Sequence, residues 1–255
     1  MREAAQEVIL PRFERLQRHE VEEKSPGEIV TVVDRLVERQ LSAQLRALLA
    51  GSLVVGEEAV AADPALLQHL DDQLVWLVDP LDGTANFVAG DPRFAVMIAL
   101  LRSGETIGSW LLDVPNDRLA RAELGAGAFL DDRRISRSIL SRSIGELRGA
   151  VLTRYMPVEL RKRIELAPVS VGELLPGMRC AGLEYPAVAS GSQHFALFWR
   201  TLPWDHAPGA LFLVEAGGRA ARLDGRPYRP VDGRQGLLAA ADGDIWTKVS
   251  RSLLG

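Results

Sequence analysis

The hydrophobic positions along the chain change their period at Gly51. Before it, Ile9, Phe13 and Leu16, then Val33, Val37, Leu41, Leu45 and Leu48, recur at steps of three and four, the spacing that lays one apolar stripe along a helix. Two helices are expected in the first fifty residues, separated by KSPGE (24–28), the second stopped by Gly51. Beyond Gly51 the apolar residues come in short runs bounded by Gly, Pro or Asp, as strands do: LVV before Gly56, LVWLV before Asp79, FAVMIALL (94–101) and TIGSWLL (106–112). An Arg/Ser-rich stretch over 131–149 reads as a solvated edge. After it, strand-like AVLT (150–153), helical EYPAVASGSQHFALFW (184–199), helical APGALFLVEA (207–216) and strand-like LLAAA (237–241) alternate. Mixed α/β layers are therefore expected on both sides of a soft boundary near residue 140. Residues 1–140 would form a helix pair plus a sheet, and 141–255 an α/β half of the same functional unit. No internal repeat is visible.

Composition narrows the classes. At 255 residues, 47% hydrophobic and 25% charged, the chain is ordinary globular protein with enough length for one large core or two joined halves. A net charge of −4 lacks the basic footprint of a protein that neutralises phosphate backbones, so nucleic acid is not the expected partner. The single cysteine, Cys180, permits no intrachain disulfide and no zinc cluster. The longest apolar run is far shorter than a bilayer span, and the amino terminus lacks an unbroken apolar segment, so no membrane partner and a cytoplasmic setting are expected.

The chemistry gathers where apolar runs end in acids. In WLVDPLDGTANF (76–87), Asp79 closes a buried strand, Pro80 fixes the next torsion and Asp82 comes round on the turn, so two carboxylates and the Leu81 carbonyl can converge. Like charges in a partly dry site call for a hard divalent cation. Asp-Pro and Asp-Gly are also common turn dipeptides, and two further stretches weigh against that plainer reading. Glu57 and Glu58 follow a short apolar run and a glycine, and Asp205 stands just ahead of a helix beginning near Ala207 or Pro208 and stopping at Gly217-Gly218. Singly these read as a solvated turn and a helix cap. Together, Glu57, Asp79 and Asp82 suit one cation, and Asp82 and Asp205 a second, the two-metal arrangement of an in-line displacement. The helix expected after Gly83-Thr84-Ala85-Asn86 would aim free N–H groups at an anion.

GEE at 56–58, DPLDGTANF at 79–87 and WDHAPGALFLVEAGG at 204–218 resemble, in order and spacing, the signature of the inositol monophosphatase family of magnesium-dependent, lithium-sensitive phosphomonoesterases, relatives of the fructose bisphosphatases. GEIVTVVD (27–34) is similar to the family's DLVTxxD segment, with Glu28 in place of Asp, and AELGAGAFLDDRRI (122–135) to one of its strand pairs. The resemblance implies an alternating α-β-α-β-α sandwich in two joined halves, and a homodimer. It implies that Glu57, Asp79 and the Leu81 carbonyl hold one Mg2+, that Asp79, Asp82 and Asp205 hold a second, and that Asp34 lies near a weaker third site. It further implies that Thr84, hydrogen-bonded near Glu57, orients a water activated by metal for in-line attack on phosphorus, and that the amides of Gly83 and Thr84 bind phosphate oxygens. No protein nucleophile is then needed. Cys180 reads as packing, and His194 and His206 as helix-face residues, since magnesium prefers oxygen.

The implied substrate is a small phosphorylated metabolite, a polyol, sugar or amino-alcohol monophosphate. Two other readings stand beside it: a bisphosphate substrate, nucleotide or fructose bisphosphate, against which the short chain counts, and a noncatalytic protein associated with RNA or transcription, against which the intact acid set counts. The inositol-recognising members carry an acid seven residues before the Trp-Asp aspartate, where this chain has Phe198. A benzyl group cannot accept polyol hydrogen bonds, so a less hydroxylated, charged ester is expected, read at its far end by Arg200 or His194. Glu184 or Arg200 is the alternative acceptor of that role.

Overall fold

The computed structural model describes residues 1–135, 142–166 and 171–254; the middle of the Arg/Ser-rich stretch lies outside them. Helix α1 (Arg2–Ala4) continues through a π turn at Ala5–Ile9 into a 3₁₀ turn at Leu10–Arg12. The expected first helix stops there, because Pro11 has no N–H to continue the ladder. Phe13 is already extended, and its ring packs on Phe87 and Phe94 at centroid distances of 5.6 and 4.9 Å. The KSPGE segment is more than a break. Strands β1 (Val21–Ser25) and β2 (Glu28–Thr31) pair antiparallel around it, with Gly27 at φ +81° in the turn, a torsion glycine adopts without a Cβ clash.

Helix α2 (Val32–Leu48) begins at a capping box: the Thr31 hydroxyl accepts from Val33 N, and Asp34 accepts from Thr31 N. Val33, Val37, Leu41 and Leu45 are buried as their spacing demands, while Leu48 in the last turn is 74% exposed. Gly51 stands three residues past the helix end, in a left-handed turn.

A seven-stranded sheet follows in the order β3 (Leu53–Gly56), β4 (Val75–Asp82), β5 (Ala95–Arg102), β6 (Glu105–Asp113), β7 (Arg118–Glu123), β8 (Gly127–Leu130) and β9 (Arg133–Ile135). Only β3 and β4 are parallel, joined through α3 (Glu57–Ala62). The unbroken LVWLV run has a simple cause. Trp76 and Val78 face the cluster beneath α2, whereas Val75 and Leu77 face a second cluster on the other side with Trp204 and Ala207, so neither face can be polar. The short α4 (Thr84–Val88) leaves the end of β4.

The second sheet has the order β11 (Glu173–Leu175), β10 (Arg148–Leu152), β12 (Phe195–Phe198), β14 (Leu237–Ala240), β13 (Arg219–Arg222). Helix α5 (Val158–Leu166) connects β10 to β11. Helices α6 (Ala181–Ser190) and α7 (Pro203–Glu215) lie between the two sheets, and α8 (Gly243–Leu253) covers the five-stranded one. The layers therefore alternate α-β-α-β-α, as expected. Two boundaries differ from expectation. The helix expected over 184–199 ends at Gly191, whose φ of +86° caps α6; its second half is β12. Helix α7 starts at Pro203, ahead of the expected Ala207 or Pro208, because proline's fixed φ suits the first helical position. Among the described residues no helix is long and apolar enough to cross a membrane.

Candidate active site

A cleft of about 470 Å³ opens where the carboxyl ends of β4, β10 and β12 meet the amino termini of α4, α6 and α7, and Glu57, Asp79, Leu81, Asp82, Thr84 and Asp205 line it. Asp79 and Asp82 reach it through a β-bulge. The ladder pairs Asp79 with Met97 and Asp82 with Ala95, three residues of β4 against two of β5. In a regular strand positions three apart face opposite sides, and the extra residue brings Asp82 round toward Asp79. Asp79 Oδ1 accepts from Leu81 N at 3.0 Å, and Asp82 Oδ2 from Gly182 N, in the first turn of α6, at 2.6 Å. Glu57 opens α3, and Asp205 lies inside the first turn of α7 rather than ahead of the helix.

Burial raises all four carboxyls. Asp79 is pushed well above the usual carboxylate range by burial, then by the charges of Glu57, Asp82 and Asp205. Asp205 follows by burial and by Asp82 and Glu57, Asp82 rises to about 6 and Glu57 also rises, in each case chiefly through burial. Among the described residues one of the four, Glu57, has a cation bonded to it. Lys24, on the hairpin, donates to Glu57 Oε1 at 3.0 Å and also to Glu58; burial lowers its pKa, Glu57 and Glu58 outweigh that, and the net shift is upward. Among the described residues no three His, Cys, Asp or Glu side chains form a finished ion cage. The chemistry of the donor set still fits a hard cation: buried carboxylates that line one cleft with Leu81 and feel one another's charge.

Asp34 is 1% exposed and serves two elements. Its Oδ2 holds Thr31, and its Oδ1 accepts from Thr84 Oγ1 at 3.0 Å. Burial lifts its pKa to about 7. The Thr84 hydroxyl also lies 2.9 Å from the Leu81 carbonyl; its partners are thus Asp34 and Leu81, not the expected Glu57. Gly83 caps α4 at φ +88°, and a Cβ there would stand 2.7 Å from the Arg93 carbonyl and 3.4 Å from Cys180 Cβ. Only glycine fits so closely packed a left-handed position. Cys180 is buried, with its thiol on the Asp82 carbonyl.

The expected specificity residues separate. Phe198 lines the cleft, its ring stacked on Tyr185 at 5.3 Å and edge-on to His206 at 4.7 Å. Arg200 also lines it, but its guanidinium pairs with Glu28 and stacks on Tyr155 at 3.9 Å. Glu184 does not line the cleft: it is fully buried in α6, taking hydrogen bonds from Met178 N and Gln193. His194 is no helix-face residue and no cleft residue. It precedes β12 at the end away from Phe198, and its Nδ1 accepts from Arg148 N at 2.9 Å. His206 sits in α7 between Tyr185 O–H and the Arg200 carbonyl, held neutral by burial, which lowers its pKa to about 3.

Two contributors escaped the sequence reading besides Lys24. Glu38, one turn after Asp34 on α2, accepts from Glu58 N at 2.7 Å and Ala59 N at 2.8 Å and so anchors the start of α3. A Cβ on Gly56 would run into that carboxylate. Two acids at i and i+4 on an apolar helix face were the available signal. The other is Arg179, at the cleft rim with φ +59°.

The sequence profile of the inositol monophosphatase family matches residues 1–253. An inositol-1-monophosphatase of Rhizobium meliloti is 33% identical over 225 residues, 84% of this chain and 79% of that protein. The Nus factor SuhB of Pseudomonas aeruginosa is 33% identical over 233 residues, 87% and 82% of the two chains. The solved structure of the Thermotoga maritima IMPase superposes with a TM-score of 0.83 at 26% identity, covering 99% of this chain and 93% of that one. A bulged strand ending in paired aspartates, a glycine-capped helix beside it and an aspartate from a third element thus lie within a whole-length match, and the chain belongs to the inositol monophosphatase family.

Proposed function

We propose that this chain hydrolyses a small phosphate monoester with magnesium as cofactor. The observation that carries the reading is the gathering of Glu57, Asp79, Asp82 and Asp205 on one cleft beside the amino terminus of α4, in a chain of a phosphomonoesterase family. Glu57, Asp79 and the Leu81 carbonyl would hold one ion, and Asp79, Asp82 and Asp205 a second. When bound, magnesium supplies a Lewis acid for the ester oxygens and lowers the pKa of water at the site. The protein's own part begins with Thr84. Its hydroxyl donates to Asp34 or Leu81, which turns the oxygen lone pairs toward the cleft, where they accept from a water and hold it for in-line attack. Asp34 Oδ1, at the end of that chain and with a pKa of about 7, takes the water's proton as the ester P–O bond breaks, and the leaving alkoxide takes its proton from solvent water. The first amides of α4, which have no intrahelical acceptor, face the phosphate oxygens.

The skeleton of the ester meets Phe198 and the apolar side chains of Val151, Leu152 and Leu202. Glu28, the nearby acid, is occupied by Arg200. A polyol would bury hydroxyls without acceptors, at about 1–3 kcal/mol each, so myo-inositol 1-phosphate is expected to be a poor substrate. Phosphate release with and without Mg2+ tests the reading, across myo-inositol 1-phosphate, glycerol 2-phosphate, histidinol phosphate and adenosine 3′,5′-bisphosphate. Metal-dependent turnover with inositol phosphate at least about tenfold below the best ester is expected. Release from none of them would leave a binding protein on a phosphatase fold, and a tenfold lead for inositol phosphate would remove Phe198 from the specificity account alone.

A further inference from the structure

The cleft has an acidic floor and a basic rim, and the rim cations are not equivalent. Arg200 is spent on Glu28 and the Tyr155 ring. Arg154 donates to the Gly27 carbonyl and lies over Tyr155. Arg179 lines the same cleft, is exposed, and makes no hydrogen bond or ion pair among the described residues; its charge is felt by Asp91, which Arg93 holds. Its backbone is the second anomaly. At φ +59° it occupies the left-handed region, where a long side chain is disfavoured and glycine is the residue the turn by itself would select. A strained position at a cleft is retained where the side chain has work to do. Its placement says what kind. Arg179 immediately precedes Cys180, whose Cβ packs beside Gly83 at the start of α4, and it lines the cleft together with Gly83 and Thr84. The carboxylates and amides below surround the inner end of a bound ester, and the exposed Arg179 meets the part that projects. On that path the walls are apolar, through Phe198, Leu152 and Leu202.

Resting on the phosphatase reading above, we propose that Arg179 selects phosphate monoesters carrying a second anionic group, a carboxylate or a further phosphate, on a short and sparsely hydroxylated skeleton. Arg179, rather than Arg200 or His194, reads the far end of the substrate. A guanidinium offers a planar fork to either anion, and the charge-assisted bonds form at the mouth without disturbing the metal ligands.

Matched pairs test this: kcat/KM for 3-phosphoglycerate against glycerol 3-phosphate, and for propane-1,3-diol bisphosphate against 3-hydroxypropyl phosphate, each with Mg2+, in the wild type and in Arg179→Gly and Arg179→Lys. The two pairs distinguish a carboxylate from a phosphate as the second anion. The wild type should favour the doubly anionic member of at least one pair by about tenfold or more. Arg179→Gly should bring that ratio near one with a Tm at or above the wild type, since glycine suits the left-handed torsion, and Arg179→Lys should keep part of the preference. Wild-type hydrolysis of glycerol 3-phosphate with no preference in either pair would overturn the proposal and leave the phosphatase reading standing. So would an equal loss on both members of each pair in Arg179→Gly, which would place the side chain on the reacting phosphate. No hydrolysis of any of the four would overturn the proposal, and the phosphatase reading beneath it would fall only if the esters of the earlier panel were also left intact.

Discussion

Asp79 and Asp82 carry their meaning through one inserted residue. Their spacing of three belongs to neither face of a regular strand, and the bulge at Pro80-Leu81 resolves it while freeing the Leu81 carbonyl for the site. The cost of bringing the acids together is visible in Asp79, Asp82 and Asp205, all raised by burial first: Asp79 then by the charges of Glu57, Asp82 and Asp205, Asp205 by those of Asp82 and Glu57, and Asp82 by those of Glu57 and Glu184 against the Gly182 amide and the Cys180 thiol. Asp82→Asn keeps an oxygen for the Gly182 amide and removes one charge from the crowd. Turnover should fall by more than about a hundredfold, beyond the range seen for groups that only support a ligand, while the metal-free Tm stays level or rises. Steady-state kinetics and calorimetry on the same preparation check both halves. Unchanged magnesium-dependent turnover would remove Asp82 from the metal set.

At the scale of elements, the site depends on how helices are started. Helix α3 takes its amino-terminal acceptor from another element: Glu38 of α2 reaches its Glu58 and Ala59 amides, and Glu57 is aimed by that anchorage. Gly56 is what lets the carboxylate come so close. Glu38→Ala should therefore weaken magnesium affinity by about 10- to 100-fold, the usual effect of losing a group that orients a ligand, as read by calorimetric titration. Gly56→Ala should cost about 1–3 kcal/mol of stability through overpacking, measured by urea unfolding. A Gly56→Ala protein of wild-type stability would show that Glu38 can move aside freely.

Over the whole molecule, the acids couple stability to pH. The folded pKa values of Asp34 and Glu38 are about 7, and that of Asp82 about 6, against ordinary values of 3.8 for aspartate and 4.5 for glutamate. A carboxyl raised on folding contributes stability that is complete below its unfolded pKa and is lost as pH rises through the folded one. Surface acids such as Glu22 and Asp91 are shifted the opposite way by Arg35 and Arg93, but exposed pairs weigh little. The metal-free protein should accordingly lose thermal stability between about pH 4 and pH 7. Magnesium should restore it, and by more at pH 8 than at pH 5, because only the ionised site attracts the ion. Scanning calorimetry in EDTA and in Mg2+ at several pH values measures this; stabilisation by Mg2+ that is the same at every pH would contradict it.

What the sequence by itself determined is what depends on near neighbours. The stripe from Val33 to Leu45 made α2, the runs before Gly56 and Asp79 and over 94–112 made the first four strands of the large sheet, and their order gave the layered fold. The acids were legible because they end apolar runs, a local feature. Local pattern failed where it was ambiguous: FALF in β12 is too short for its period to separate strand from helix, and Gly191 was the cue that ended α6. Tertiary structure alone decided the rest. It set Thr84 on Asp34 across fifty positions, turned Glu184 and His194 inward to satisfy buried amides, tied Arg200 to Glu28, and left Arg179 at the cleft with no hydrogen bond or ion pair among the described residues. Which acid or cation stays available for a ligand depends on who else can hydrogen-bond it, and those partners lie far along the chain, where no period or spacing reports them.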